Sequence, residues 1–321
     1  MEPILLKPSG KDYIWGGNRL KDEYNKNIDL SPLAETWECS AHPDGCSTVI
    51  SGVYKGYTLE EVLKKHPEYM GTKYSGNEKF PLLVKLIDAE KDLSVQVHPD
   101  DEYAEKNEHQ SGKTEMWYVV DSQPGASLVC GFAHAVSKDI LRHDTASGQL
   151  MKHLRKVPVH KGDVFYIPAG TIHAIGAGVL IAEIQESSNL TYRVWDYDRI
   201  DKNGKKRETH LEKALEVLNF KSGEEIRPKP KRIEYSFGAS REVLCRCKYF
   251  ETERIRTSMG ISFVVNGLSF QVILCIEGAG SIENDEMEKP LKFRKGDCIF
   301  IPAGAGKTFI IGEAEMLKIR C

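Results

Sequence analysis

Residues 162–173 read GDVFYIPAGTIH, a stretch that predicts a strand, a tight turn and the start of a second strand. The initial Gly-Asp pair forms the turn into the first strand, and four apolar or aromatic residues follow it. The Pro-Ala-Gly triplet then turns the chain so that the first side chains of the next strand point inward. His173 occupies that inward position, so we expect a β-barrel wall that carries a buried imidazole.

A second copy of the pattern, GDCIFIPAGAGK, lies at residues 296–307, which predicts two β modules of one type. The copies differ at the inward position, where the first has His173 and the second has Lys307. A neutral imidazole binds transition metals, whereas the ammonium group of a lysine repels them. We therefore expect a metal site in the first module and none in the second.

Short strands separated by turn residues dominate the rest of the chain, so the predicted fold class is mainly β. The predicted strands are Ser47–Val53, Phe80–Ile87, Ser94–Val97, Glu115–Val120, Asp163–Ile167, Val179–Gln185, Ile261–Val265, Phe270–Ile276, Asp297–Ile301 and Thr308–Ile311.

Helices form the minority. Capping boxes predict two of them, opening at Thr58 and at Thr209, and the polar segment 137–154 is interpreted as a helical, solvent-facing insertion. Residues 221–232, KSGEEIRPKPKR, are charged and contain two prolines, which is typical of a linker. The predicted domains are therefore residues 1–232 and residues 233–321.

Composition excludes several classes of protein. The 321 residues include 44 basic and 47 acidic side chains, so the basic excess of a nucleic-acid-binding protein is missing. We find no run of about 18 apolar residues and no apolar core of a signal peptide, which predicts a cytoplasmic protein without a membrane partner. The eight cysteines have no C-x-x-C spacing and are interpreted as reduced thiols. The oligomeric state is left open.

Two other short stretches offer ligands to join His173. Gln96 and His98 are two residues apart on a predicted strand and share a face, as do Lys113 and Glu115. Two imidazoles, a carboxylate and an amide oxygen suit a borderline divalent ion, and zinc is the natural choice where no redox chemistry is needed. We therefore predict a metal site of Gln96, His98, Glu115 and His173.

These residues resemble the cupin superfamily. Residues 162–173 match its motif G(x)5PxG(x)2H in full, whereas its His-x-His motif is matched in part, because Gln96 replaces the first histidine. Glu115 also lies much farther beyond His98 than that motif usually places its carboxylate. The resemblance implies two cupin-like jelly-roll modules, with the helical insertion in or beside the first module and a degenerate second module.

The departures from the cupin pattern are those of the short bacterial mannose-6-phosphate isomerases, which the sequence resembles over about residues 1–220. The matching stretches are Ile14–Gly17, Glu35–Glu38, Ser94–Pro99, Lys113–Tyr118, Pro168–His173, Glu183–Gln185 and Tyr192–Asp196.

This resemblance implies an enzyme whose partner is a small sugar phosphate and which interconverts mannose 6-phosphate and fructose 6-phosphate. It also implies one Zn²⁺ per chain on His98, Glu115 and His173, with Gln96 as the candidate fourth ligand. A catalytic arginine at Arg193 and a lysine near the substrate, Lys113, are implied in the same way.

The implied reaction moves a proton between C1 and C2 through an enediol or enediolate, so it needs a base and an electrophile. Lys113 is the candidate for proton transfer, with phosphate binding as the alternative. Arg193 carries a permanent positive charge, which suits electrostatic stabilisation and substrate positioning and is unsuited to proton abstraction.

Further side chains on the same strand faces could contact the substrate. Ser94 could donate to a phosphate or sugar hydroxyl or bond to backbone instead, and Glu183 and Gln185 could orient the sugar. Trp117 faces inward and is interpreted mainly as core. Asn189 stands where we would expect an aspartate in many relatives.

Two other functions remain open from the sequence. His98, Glu115 and His173 alone form a two-histidine, one-carboxylate set that suits ferrous iron, as in a cupin dioxygenase, although Gln96 and Lys113 argue against it. A sugar-binding two-module protein without turnover is the second alternative, because the Lys307 copy has already lost its ligand.

Overall fold

The computed structural model describes residues 1–74, 79–200, 204–221, 228, 231–236 and 238–321, and it confirms the mainly β fold with a helical minority. The strands are β1 (Ile4–Lys7), β2 (Ser9–Lys11), β3 (Glu35–Cys39), β4 (Thr48–Val49), β5 (Leu82–Ala89), β6 (Val95–Val97), β7 (Glu115–Ser122), β8 (Ser127–Phe132), β9 (Leu154–Pro158), β10 (Val164–Ile167), β11 (His173–Ile175), β12 (Val179–Glu186), β13 (Tyr192–Trp195), β14 (Lys231–Ser236), β15 (Ala239–Arg246), β16 (Glu251–Thr257), β17 (Gly260–Val265), β18 (Gln271–Asn284), β19 (Leu291–Arg294), β20 (Cys298–Ile301) and β21 (Gly306–Arg320).

The helices are short and lie between strands. They are α1 (Arg19–Asp22), α2 (Leu59–Lys65), α3 (Asp101–Glu108), α4 (Lys138–Ala146) and α5 (Leu211–Val217), with 3-10 turns at Gly52–Tyr54, Pro67–Met70, Thr72–Tyr74 and Leu150–His153. In the described part of the chain, no helix has the length and apolar character needed to cross a membrane.

Two antiparallel sheets face each other in the first module and form the jelly roll. One has six strands in the order β10-β7-β12-β5-β3-β2, and the other has five in the order β13-β6-β11-β8-β9. Their facing sides share a core in which Trp117 and Phe165 of the first sheet meet Leu128 and Ile175 of the second. The polar residues predicted for the site project between the same two sheets.

The third sheet, of ten strands, contains the C-terminal strands and packs against the outer face of the six-stranded sheet. Met116 and Ile184 of the six-stranded sheet share one cluster with Phe270, Phe300 and Leu317 of the ten-stranded sheet. Strands β5 and β12 are consequently buried along their whole length. One face supplies the apolar contact between modules, and the other lines the interior of the jelly roll.

The chain crosses between the modules near its start. Strands β1 and β4 belong to the ten-stranded sheet, where β1 pairs with β20 and brings Leu6 opposite Cys298. The predicted linker 221–232 lies largely outside the described residues. The division into residues 1–232 and 233–321 stays a prediction. The structure shows in addition that the N-terminal strand β1 belongs to the sheet of the C-terminal module.

One predicted strand was wrong at its boundaries, whereas the capping box that follows it was predicted correctly. The predicted strand Ser47–Val53 is limited to Thr48–Val49, because Gly52 adopts a φ of 60° that turns the chain and leaves Val53 exposed. The capping box at Thr58 is formed with Glu61, as predicted.

The second predicted capping box does not form, because tertiary bonds replace it. Helix α5 begins one residue late, after His210, and the backbone N–H of His210 donates to the Arg193 carbonyl of β13 at 2.7 Å. The same histidine accepts from the Arg193 backbone through its ring nitrogen at 3.3 Å. The helix is therefore fixed by the strand that carries the candidate catalytic arginine.

Segment 137–154 is helical and largely exposed, as its polarity suggested, but several of its apolar residues are core. Leu141 and Leu150 are buried in a cluster with Val97 and Val129 of the five-stranded sheet. His153 is also buried and bonds Asp144 at 2.6 Å, whereas other polar residues face solvent. The buried apolar residues of the segment pack against the outer face of the five-stranded sheet and cover it.

The predicted inward position of Lys307 was wrong. Lys307 is exposed and its ammonium lies 4.9 Å from the centroid of the Phe309 ring, while Thr308 is fully buried. The strand after the second Pro-Ala-Gly turn is thus displaced by one residue relative to the first copy. A one-residue shift exchanges the two faces of a strand, so the repeat preserves the turn but not the side-chain direction.

We predict that Leu6→Ala lowers the free energy of unfolding by about 2–5 kcal/mol, because it removes buried methyl groups from the strand that ties the N-terminus into the ten-stranded sheet. Urea unfolding measures the change. Val264→Ala, in the same sheet but 62% exposed, is the control and should change stability by less than about 0.5 kcal/mol. Equal effects in the two variants would contradict a structural role for β1.

Candidate metal centre and pocket

Three strand ends bring the predicted ligands together. His98 directly follows β6, and His173 opens β11, which pairs with β6 so that His173 lies opposite Gln96. Glu115 opens β7 of the facing sheet, opposite Ile167 at the end of β10. The Pro-Ala-Gly turn joins β10 to β11 and therefore carries the chain from the sheet of Glu115 to the sheet of His173. The long spacing between His98 and Glu115 is filled by α3.

The ligand atoms of His98, Glu115 and His173 all lie within 4.8 Å of one another. Nε2 of His98 is 3.6 Å from Glu115 Oε2, and Nε2 of His173 is 3.4 Å from Glu115 Oε1. All three side chains are at most 1% exposed. The sequence-predicted triad therefore converges on one buried point.

Backbone carbonyls fix both imidazoles. Nδ1 of His98 donates to the Leu190 carbonyl at 2.9 Å, and Nδ1 of His173 donates to the Thr171 carbonyl at 2.9 Å. Burial lowers the pKa of His98 well below its usual value and the pKa of His173 to about 4, so both rings are neutral. With Nδ1 protonated, each Nε2 directs a lone pair toward Glu115.

The surroundings of Glu115 destabilise its ionised form. Burial, together with the charge of Glu183, raises the pKa of Glu115 to about 8, and its Oε1 has no hydrogen-bond partner among the described residues. Nε2 of His98 is also buried and has no hydrogen-bond partner in the part of the chain that the structure describes. Two nitrogen lone pairs and a carboxylate that face each other in a dry site are the donor set of a divalent metal.

Gln96, Ser94 and Arg193 form a polar chain that leads away from the triad. The amide nitrogen of Gln96 lies 3.3 Å from His173 Nε2. The Ser94 hydroxyl donates to Gln96 Oε1 at 3.5 Å and accepts from Arg193 Nε at 3.3 Å. Arg193 also donates to the Glu208 carbonyl at 2.8 Å. The amide and serine that the sequence placed on one strand face are therefore adjacent, and Arg193 lies beside them.

A polar pocket of about 240 Å³ lies beside the triad. Its lining contains predicted and unpredicted residues: Tyr13, Trp15, Glu35, Lys85, Ile87, Leu93, Ser94, Gln96, Lys113, Ile175, Glu183, Asn189, Thr191, Arg193, Arg207 and His210. Charged and hydrogen-bonding groups of both signs face this space, which suits a ligand rich in hydroxyl groups.

Buried charges alternate along the pocket floor. Lys113 Nζ lies 3.3 Å from Glu115 Oε2 and 4.0 Å from Glu183 Oε1, and Lys85 Nζ lies 3.0 Å from the same Glu183 oxygen. Lys85 is also 3.8 Å from Glu35 Oε2. Although burial opposes it, the two lysine charges lower the pKa of Glu183 to about 2, so Glu183 is ionised.

The amino-acid sequence of this chain is similar to two family models and to full-length relatives. Residues 4–125 match the catalytic domain of phosphomannose isomerase type I, and residues 241–321 match the cupin domain of mannose-6-phosphate isomerase. A mannose-6-phosphate isomerase of Bacillus subtilis is 40% identical over 98% of this chain and 98% of its own length. The chain belongs to the mannose-6-phosphate isomerase family. A relative of that name from Streptococcus mutans is also 40% identical, over 98% of this chain and 97% of its own.

Solved structures of the family agree with the fold. The crystal structure of the mannose 6-phosphate isomerase from Bacillus subtilis superposes with a TM-score of 0.91, at 35% identity, and the match covers 99% of both chains. A structure from Archaeoglobus fulgidus matches with a TM-score of 0.80 at 23% identity, over 99% of this chain and 98% of its own, and supports the fold alone. The isomerase fold therefore extends through the second module, where the sequence motifs were weaker.

Sequence reasoning missed Lys85 and Glu35 as pocket residues of this family member. Lys85 interrupts the otherwise apolar run of β5, and a charged residue inside a fully buried strand was the available signal. Glu35 lies in a motif that the sequence did show, but its role depended on the partner strand: it accepts from Trp37 Nε1 at 2.9 Å and faces Lys85.

Arg207 and His210 were also not predicted from the sequence. Both line the pocket from the segment before α5, and Arg207 is held there by a hydrogen bond to Asp196 Oδ2 at 2.7 Å. Arg199 contacts the same carboxylate. Arg193 and Arg207 together make one end of the pocket positive. No local pattern indicated this, because the two arginines lie on separate segments.

Gln185 differs from its sequence interpretation, whereas Trp117 matches it and makes one additional hydrogen bond. Gln185 is fully buried and donates to the carbonyls of Glu186 and Ser188 at 2.8 and 2.6 Å, so it braces its own loop and is not among the residues found to line the pocket. Trp117 is buried in the core as expected, but its Nε1 also donates to Glu183 at 3.0 Å.

Asn189 lines the mouth of the pocket. Its amide nitrogen donates to Asp44 Oδ2 at 2.8 Å, across from the loop between β3 and β4. The side chain therefore links two loops at the entrance, and the neutral amide supplies the donor that an aspartate there would lack.

We predict that Lys85→Met lowers the free energy of unfolding by about 3–5 kcal/mol, since it leaves the buried carboxylates of Glu183 and Glu35 without their shared cation. Chemical denaturation measures the loss. Lys91→Met removes a charge from an exposed side chain of the same region and serves as the control. A loss below about 1 kcal/mol would mean that Lys85 is dispensable to the charge balance of the floor.

Proposed function

We propose that this chain interconverts mannose 6-phosphate and fructose 6-phosphate with the aid of one zinc ion held by His98, Glu115 and His173. The observation that carries the proposal is the convergence of two unprotonated Nε2 atoms and a buried carboxylate within 4.8 Å, next to a polar pocket. The proposal follows the family to which the chain belongs and the chemistry of its donor atoms.

The donor set fits a borderline divalent ion. Two imidazole nitrogens and one carboxylate leave an open position, and a half-turn of the Gln96 amide presents its oxygen where its nitrogen now approaches His173. Gln96 is thus the proposed fourth ligand. When bound, the ion supplies Lewis-acid stabilisation of negative charge that develops on the substrate oxygens at C1 and C2.

Lys113 is proposed to move the proton between C1 and C2. Its side chain is 4% exposed, lines the pocket and shares a strand face with Glu115, so its ammonium lies at the junction of the pocket and the metal ligands. Ion pairs with Glu115 and Glu183 fix its position. A primary amine with this placement can give up and retake a proton next to the reacting carbons.

Arg193 is proposed to stabilise negative charge and to position the substrate. Two of its nitrogens are held by the Ser94 hydroxyl and the Glu208 carbonyl, which directs the guanidinium into the pocket. Burial lowers the pKa of Arg193, yet a guanidinium starts so high that it stays charged. Beside Arg207, it suits the phosphate or the enediolate oxygens.

Ser94 and Glu183 are proposed to contact the sugar phosphate, because both line the pocket with oxygen atoms that can accept or donate. Gln185, which the sequence grouped with them, instead donates to the Ser188 carbonyl, two residues before the Leu190 carbonyl that accepts from His98.

A coupled assay of mannose 6-phosphate conversion, run before and after chelation and after zinc is restored, tests the proposal. Activity that disappears with the metal and returns with zinc supports it. Oxygen uptake by iron-loaded protein without isomerase turnover would instead indicate a dioxygenase. Zinc-loaded protein that binds the sugar phosphate without turning it over would indicate a binding module.

We predict that His173→Ala loses both bound metal and activity, with turnover reduced about a thousandfold or more, because a ligand is removed. Metal content by mass spectrometry and the coupled assay measure the two effects. Arg193→Ala should keep its metal and lose about a hundredfold to a thousandfold in turnover. Arg142→Ala truncates an exposed side chain that is not among the residues found to line the pocket and is the control. A metal-free His173 variant with normal turnover would refute the zinc mechanism.

Lys113→Met separates the two roles considered for this lysine. As the proton-transfer group, its loss should reduce kcat about 10²- to 10⁴-fold while the metal stays bound. If Lys113 only binds phosphate, KM rises and kcat changes little. Steady-state kinetics with matched metal content distinguish these outcomes.

A further inference from the structure

The segment Gly112–Thr114 directly precedes β7 and contains Lys113. Its backbone contacts the residues that follow His98. The backbone N–H of Lys113 donates to the Pro99 carbonyl at 3.0 Å. At Gly112 the two chains approach so closely that a Cβ atom would lie 2.5 Å from the backbone of Asp100 and Asp101. Only glycine fits this approach, so the position of Lys113 depends on contacts outside its own strand.

Two carboxyl groups hold the backbone on either side of Lys113. Asp101 Oδ1 accepts from the Gly112 N–H at 3.0 Å, and Glu186 Oε2 accepts from the Thr114 N–H at 2.7 Å. The Glu186 N–H in turn donates to the Thr114 carbonyl at 3.2 Å. Thr114 directly precedes the metal-ligand candidate Glu115, so both functional side chains of this strand end depend on these bonds.

The two carboxyl groups are close enough for the charge of each to affect the other. Burial, with the charge of Asp101 beside it, raises the pKa of Glu186 to about 8, which favours the acid form of Glu186 and the ionised form of Asp101. A protonated Glu186 can donate to Asp101 while its other oxygen accepts from Thr114.

The remaining oxygen of Asp101 is bound from the second module. The Tyr249 hydroxyl, in the turn between β15 and β16, donates to Asp101 Oδ2 at 2.9 Å. Lys248 of the same turn lies 3.7 Å from that oxygen but is 79% exposed. Of these two contacts between the C-terminal sheet and this loop, the phenol is thus the less exposed.

We propose that Tyr249, Asp101 and Glu186 form a brace that positions Lys113 and Glu115 for the reaction, so that the C-terminal module acts on the active site through one phenol. The inference rests on the proposed function, which gives Lys113 the proton transfer. None of the three brace residues lines the pocket as described, so they are positioning residues. Proton transfer is sensitive to displacements of about 1 Å, which makes such a brace consequential.

Four variants test the brace in the full-length, zinc-loaded enzyme. Tyr249→Phe removes the hydroxyl and keeps the ring. Glu186→Ala removes the carboxyl group, whereas Glu186→Gln keeps an acceptor for Thr114 and a donor for Asp101 and so mimics the acid. Lys248→Gln, one residue from Tyr249 and solvent-exposed, is the matched control.

The first readout is amide hydrogen exchange across residues 109–114. Exchange should accelerate in Tyr249→Phe and Glu186→Ala and stay at the wild-type rate in Glu186→Gln and Lys248→Gln. This measurement does not depend on the reaction, so it separates a failed brace from a failed proposed function. Wild-type exchange in both disruptive variants would overturn the brace.

The second readout is kinetic. We expect kcat to fall about threefold to thirtyfold in Tyr249→Phe and about tenfold to a hundredfold in Glu186→Ala, with KM within about twofold and metal content unchanged. Glu186→Gln should restore kcat. Faster exchange with unchanged kcat would overturn the positioning role, and so would a parallel loss of metal, which would indicate general loosening of the site.

Discussion

The Glu115 carboxylate is buried completely between two neutral imidazoles, and much of the first module is arranged around that constraint. An ionised carboxyl group in a dry interior is unstable unless opposite charge compensates it. Lys113 provides part of that compensation at 3.3 Å, but the nearby charge of Glu183 works against it. The backbone carbonyls that fix both histidine rings leave nitrogen lone pairs, and not N–H groups, facing the carboxylate.

The charges around the pocket floor determine how the site responds to a bound cation. The carboxyl groups of Glu35, Glu115 and Glu183 face the ammonium groups of Lys85 and Lys113, so with Glu115 ionised, as metal binding requires, the floor carries three negative and two positive charges. A bound divalent cation would change this formal balance from −1 to +1. The floor would then attract a phosphorylated sugar and its developing oxyanion, while Arg193 and Arg207 make the adjacent end positive.

The six-stranded sheet connects the modules because it is buried on both faces. In β12, Glu183 faces the site and its neighbours Ala182 and Ile184 pack against the ten-stranded sheet. Because successive side chains of β12 point to opposite faces, the packing of the second module on one face affects where the site residues of the other face lie. The brace of Tyr249, Asp101 and Glu186 is a second, polar connection at the end of the same strand.

Sequence alone determined the strand-turn-strand unit, the converging ligands and the family, because turn chemistry and the two-residue period of strands are local. The positions of Gln96, His98, Glu115 and His173 could be predicted because each lies in or next to a strand with a defined face. The direction of Lys307 could not, because one residue of register, set by packing, exchanges the faces of β21. Lys85, Glu35, Arg207 and the brace residues act through partners on distant segments. Only tertiary structure decides which buried charge meets which, since their pairing energy depends on distances that no local pattern encodes.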